Sequence, residues 1–113
     1  MSGISTHVLD LALGRPAAGI LVRLERENAG TWRRLVQKQT DADGRIGNLL
    51  PPGETLEKGR YRLGFETAAY FREQGSQCFH PYIEVAFDIS DTTQNYHVPL
   101  LLTPYGYSTY RGS

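Results

Sequence analysis

Cysteine is almost missing from this chain of 113 residues: Cys78 stands alone, which excludes an intrachain disulfide and a multi-cysteine metal site. There is no surplus of charge of either sign. Twelve basic and twelve acidic residues give a formal net charge of zero, so nothing draws the chain to nucleic acid or to an anionic membrane. No apolar run reaches the roughly 18 residues that a spanning helix needs, and no basic-then-apolar leader opens the chain. These absences lead us to expect a soluble, cytoplasmic protein in reducing surroundings. Lysine is scarce as well. Ten of the twelve basic residues are arginine, and arginine supplies forked donors where an anion must be held.

What is present is a succession of short strand signals. A chain of this length makes one domain, 1–113, burying roughly 65% of its unfolded surface. Ile4 to Leu11 is β-branched and short, which favours a strand, and Gly14 to Gly19 follows as a loop. Ile20 to Arg26 alternates, with Val22 and Leu24 facing in and Arg23 and Glu25 facing out. Asn28-Ala29-Gly30 turns the chain, and Thr31 to Thr40 returns as the partner strand. Gly59 to Thr67 sets Tyr61, Leu63 and Phe65 against Arg60, Arg62 and Glu66, the clearest half-buried strand. Thr67 to Gln74 carries helix formers, with Thr67 as the expected N-cap and Gly75 as the stop. Tyr82 to Ile89 is a further strand. Seven or eight strands and one short helix predict a β-sandwich or small barrel.

One loop, one strand and the end of the chain stand apart. Asp41, Asp43 and Gly44 look like the opening of a calcium loop, but the glycine follows too soon and Pro52 stands where a glutamate is needed. The remaining reading is an Asx turn that aims Arg45. Val98-Pro99-Leu100-Leu101-Leu102 is apolar at every position, so both faces of that strand should be covered, the second by another subunit. Pro99 cannot donate to a ladder and should mark an edge or irregularity. Tyr105 to Ser113 is too aromatic for a frayed terminus.

The polar chemistry is spare. His7 and His97 each lie in a predicted strand, where an imidazole is costly to bury without partners. Two histidines without a spaced third ligand do not make a metal site, and neither a metal nor another cofactor is expected. No serine sits in a nucleophile elbow, and His80, beside Pro81, reads as an ordinary loop residue. What remains is a neutral imidazole to activate water and a guanidinium to hold a developing anion.

Four segments in order complete the reading: Thr6-His7-Val8-Leu9-Asp10 with Gly14-Arg15-Pro16-Ala17; Thr40-Asp41-Ala42-Asp43-Gly44-Arg45; Tyr96-His97-Val98-Pro99-Leu100-Leu101-Leu102; and Tyr110-Arg111-Gly112-Ser113. From about Ser5 to Ser113 the chain resembles the 5-hydroxyisourate hydrolases, the transthyretin-related family of urate breakdown. The resemblance implies an all-β, transthyretin-like sandwich of two four-stranded sheets with one short α-helix. It implies a homotetramer, a dimer of dimers, with active sites in a channel between dimers. It also implies hydrolysis of the N1–C6 amide bond of 5-hydroxyisourate to give 2-oxo-4-hydroxy-4-carboxy-5-ureidoimidazoline, the second step from urate to allantoin.

Carried onto this sequence, the resemblance makes His7, Arg45 and His97 catalytic. His7, Arg45 and Tyr110 would contact substrate, and Arg111, Gly112 and Ser113 would lock the tail and orient a histidine. Which histidine is the base stays open. Two positions depart from the family pattern: Asn95, where a histidine is frequent, and His80, where an aromatic residue is frequent. The alternatives are a small-molecule carrier of the transthyretin type, which an apolar channel would favour, and a purely structural sandwich.

Overall fold

The computed structural model describes residues 3–113. The strands are β1 Ile4–Asp10, β2 Arg15–Pro16, β3 Leu21–Asn28, β4 Thr31–Gln39, β5 Arg45–Ile46, β6 Gly59–Phe65, β7 Ile83–Ile89, β8 Tyr96–Thr103 and β9 Gly106–Thr109, with helix α1 Thr67–Glu73 between β6 and β7. One sheet runs β2-β1-β8-β9 with β5 paired to β1; the other runs β4-β3-β6-β7. The expected sandwich is present. Each sheet has four strands along its path, and β5 is an addition. β2 and β5 follow one another along the edge of β1 that β8 leaves open.

Alternation decides what is buried. Val22 and Leu24 of β3, and Tyr61, Leu63 and Phe65 of β6, all point between the sheets. They meet Ile4 and Val8 of β1 and Val98, Leu100 and Leu102 of β8. Burying each such aliphatic side chain contributes roughly 1.5–3 kcal/mol. The β3–β4 hairpin closes through Ala29 and Gly30, both at positive φ (53° and 84°), the two-residue geometry that matches strand twist.

The helix starts differently from expectation. Glu66 occupies the N-cap position without a side-chain cap hydrogen bond. Thr67 is fully buried, and its hydroxyl has no partner among the described residues. The inward set of β6 continues through Phe65 to Thr67, so Glu66 turns outward and pairs with Arg23. Gly75 closes the helix at φ 72°, its N–H donating to the Arg72 carbonyl. Tyr70 ties α1 to the first sheet by donating to the buried Asp10 carboxylate at 2.6 Å.

β1 and β8 run parallel along their whole length, pairing Ser5 with His97 and His7 with Pro99. The β8–β9 ladder stops at Leu100 and Thr109. The tail then leaves the ladder and returns at Gly112, whose N–H donates to the His97 carbonyl at 2.8 Å. Pro99, without an N–H, lies in that gap, the irregularity expected of it. Inside the protomer Pro99 is buried and Leu101 half-buried.

Candidate active site

Residues directly opposite one another on paired strands share a sheet face. Ser5 and His7, two apart on β1, therefore point the same way, away from the core. The parallel register adds His97 beside Ser5, and the β5 pairing adds Arg45 beside His7. Ile46 takes the opposite face and is buried. Three of the residues expected to act are thus gathered on one outer face.

The Asp41 turn aims Arg45, as its sequence implies. Asp41 Oδ1 accepts from the N–H groups of Asp43 and Arg45, each at 2.9 Å, and the Gly44 N–H donates to the Asp41 carbonyl. Gly44 has φ 74°, and a Cβ there would meet the Val8 carbonyl oxygen at 2.4 Å. Only glycine lets this loop lie against β1. The Arg45 side chain is exposed and has no carboxylate partner among the described residues.

The two histidines are held differently. His7 Nε2 lies 2.9 Å from the Asp43 carbonyl. A carbonyl only accepts, so this nitrogen carries hydrogen and donates. His97 Nδ1 lies 2.8 Å from Ser5 Oγ, and its Nε2 has no hydrogen-bond partner among the described residues. A Cβ on Gly112 would stand 2.6 Å from His97 Cδ2, so the tail backbone lies against the ring. Burial foremost, then the charge of Arg45 and the neighbouring His7, lowers the His97 pKa below that of an ordinary histidine. The neutral imidazole is the favoured form.

A cleft of about 520 Å³ opens at this face, lined by Ser5, Arg45, Asn48, Asn95, His97 and Ser113 among others. Asn95, a departure from the family pattern, belongs to the cleft wall.

The tail divides. Ser113 lines the cleft, and Gly112 buttresses His97. Tyr110 does not join them: it lines a second cleft with Val85, Phe87, Tyr96 and Val98, at the open side of the sandwich. Past Thr109 the chain has left the ladder, and the Tyr110 ring turns toward β7 instead of the outer face. Arg111 is held by Gln94, at 2.6 Å from its Oε1, and by the face of Tyr96, 4.5 Å from the ring centre. His97 is oriented by Ser5, a residue the sequence reading passed over, although its period-2 spacing from His7 placed it on the same face. His80 packs edge-on between Phe79 and Tyr107, outside the cleft.

Comparisons with known proteins agree with this fold. Residues 4–112 match the model of the HIUase/Transthyretin family. The chain is 47% identical to the 5-hydroxyisourate hydrolase of Mus musculus, over 99% of this chain and 96% of that one. Among solved structures, 5-hydroxyisourate hydrolase of Klebsiella pneumoniae superposes with a TM-score of 0.87 at 39% identity, covering 100% of this chain and 94% of the other. Transthyretin from Sparus aurata superposes with a TM-score of 0.92 at 33% identity, covering 99% and 97%.

Proposed function

Given that the chain belongs to the HIUase/transthyretin family, we propose that it is an enzyme of urate breakdown, hydrolysing 5-hydroxyisourate. Water attacks C6 of the substrate, the N1–C6 bond breaks, and 2-oxo-4-hydroxy-4-carboxy-5-ureidoimidazoline is formed. The fold does not choose between this and a carrier, because both branches of the family share it. The chemistry of the cleft does. One observation carries the reading: an arginine with no carboxylate partner among the described residues and a histidine whose pKa is lowered converge on one cleft.

His97 is the base. Its Nε2 is uncommitted, whereas the same nitrogen of His7 is spent on the Asp43 carbonyl. His97 takes a proton from water as the oxygen attacks C6, and returns it to N1 as the ring opens. A positioned base typically contributes about 10²–10⁴-fold. Arg45 faces the oxygen on which negative charge collects. No carboxylate among the described residues pairs with it, so its charge is available to that oxygen, an effect worth roughly 3–4 kcal/mol. His7 stands beside Arg45 on the same face but outside the cleft lining, its donor fixed on the Asp43 carbonyl.

The assembly belongs to the same proposal. A homotetramer, a dimer of dimers, would cover the outer face at Leu101 together with the exposed Leu11, Leu13 and Tyr105, and would use the open edges of β7 and β9. Light scattering on the purified chain checks this; a monomer across micromolar concentrations would contradict it. No helix among the described residues is long and apolar enough to cross a membrane. A cytoplasmic location is also proposed, supported by a lone, unpaired Cys78.

The test of the activity is direct. 5-Hydroxyisourate is generated from urate, and its ultraviolet decay is followed with and without the protein. Acceleration by catalytic amounts of protein is expected. Decay at the spontaneous rate would overturn the reading.

A further inference from the structure

We propose that Ser5 is a positioning residue that selects the reactive tautomer of His97, accepting a hydrogen bond from Nδ1–H so that the Nε2 lone pair faces the cleft. This rests on the hydrolase reading above and assigns how its base is prepared.

The argument begins with register. In the parallel β1–β8 pair, Ser5 lies directly beside His97, and its hydroxyl oxygen is 2.8 Å from Nδ1. No other described group hydrogen-bonds to that ring. Gly112 lies against the Cδ2 edge, close enough that a Cβ would stand 2.6 Å away, and its N–H holds the His97 backbone carbonyl. The ring is therefore gripped at Nδ1 by one polar atom and along Cδ2 by backbone. The residue that fixes the proton is Ser5.

A hydroxyl can donate or accept. If Ser5 donated, the neutral ring would carry its hydrogen on Nε2, and no lone pair would face the cleft. If Ser5 accepts, Nε2 is basic. The acceptor arrangement also survives catalysis: when Nε2 takes a proton from water, Nδ1 is still N–H and the bond to Ser5 persists. Ser5 itself borders the cleft, so its own hydrogen reaches solvent. A carboxylate at this position would accept as well, but would add a negative charge beside Arg45 and raise the basicity of the histidine. A serine orients the ring and leaves the charge balance of the cleft alone. The charged or titratable groups facing this ring are Arg45 from β5 and His7 from β1, with Ser113 of the tail on the same cleft.

Two measurements test this on the full-length chain. The first is ¹⁵N NMR of the substrate-free protein above the His97 pKa. His97 is expected to show a protonated Nδ1 and an unprotonated Nε2, and Ser5→Ala to shift the ring toward the other tautomer. The second is kinetic. Ser5→Ala should lower kcat on the order of 10- to 100-fold with little change in KM. It should also move the acid limb of the pH profile to lower pH, since the imidazolium loses an acceptor. Ser5→Thr, which keeps the hydroxyl, should restore both.

A wild-type His97 protonated on Nε2 would overturn the proposal, and so would Ser5→Ala with undiminished kcat. Loss of activity in Ser5→Ala that Ser5→Thr does not rescue would also overturn it, by showing a packing role. The NMR readout needs no substrate. If the chain fails to turn over 5-hydroxyisourate, the hydrolase reading falls while the tautomer is still decided.

Discussion

The two sheets show opposite ways of using arginine. On the outer face of the β4-β3-β6-β7 sheet, three arginines are matched with acids, while Arg34 meets the amide of Gln37. Arg23 pairs with Glu66, Arg60 with Asp88, and Arg62 with Glu25 at 2.6 Å and Glu84 at 3.5 Å. Arg62 also lies over Trp32, 4.3 Å from the ring centre. On the outer face of the other sheet, the Arg45 side chain stands near two histidines and has no carboxylate partner among the described residues. A matched charge is a solvated surface feature worth little. An unmatched one, beside half-buried imidazoles, keeps its field for whatever enters the cleft and, together with burial, disfavours the proton on His97. The same side chain is structural in one place and chemical in the other, and the difference lies in what stands next to it.

Removing charge from each face separates the two uses. Arg45→Ala should fold normally and lose about 10²–10³ in kcat; wild-type turnover would break the contrast. Gly112→Ala tests the backing of the chemical face. Its methyl group would displace the His97 ring, and we expect about a 10²-fold loss of turnover with a nearly unchanged melting temperature. A fully active Gly112→Ala protein would show that the ring need not be held.

The matched face should answer in stability alone. Arg62→Ala is expected to cost about 1 kcal/mol through lost stacking and pairing, seen in denaturant unfolding, with kcat unaltered. A fall in kcat larger than the stability loss explains would erase the distinction.

The smallest effect is in pH. The His97 pKa is lowered, so the acid limb of kcat/KM should lie below the ordinary histidine value of about 6.5. Activity falls as pH drops through it, because the protonated ring cannot act as base. In a residually active Arg45→Lys variant the limb should stay low, since the positive charge remains. In Arg45→Ala it should rise. A limb insensitive to both would mean that Arg45 does not reach His97 electrostatically.

Much of this was legible in the residues. Alternation in Arg60 to Phe65 announced β6, and Asp41 with Gly44 announced the turn that aims Arg45. The doubled apolar run announced a strand covered on both faces, which Pro99 and Leu101 already approach inside one protomer. The misses have physical causes. Thr67 is a strong capping residue by type, but strand alternation through Phe65 pulled it into the core. Tyr110 was expected at the substrate from the resemblance alone, yet within one protomer the gap in the β9 ladder sets it at another cleft. Ser5 was invisible as a partner of His97 because the two are 92 positions apart, and period-2 spacing shows a face without showing what lies across from it.

The parallel pairing of β1 with β8 also has a consequence for how the protein comes into being. β1 is made early, and its partner is made late. Contacts of such separation form slowly, because the closure of the intervening chain precedes any reward for it. During synthesis β1 must wait with an open edge, a state prone to wrong pairing. Ser5 meets His97 only when that closure is complete. Turnover in this molecule is therefore a signal that β1 and β8 have paired in register.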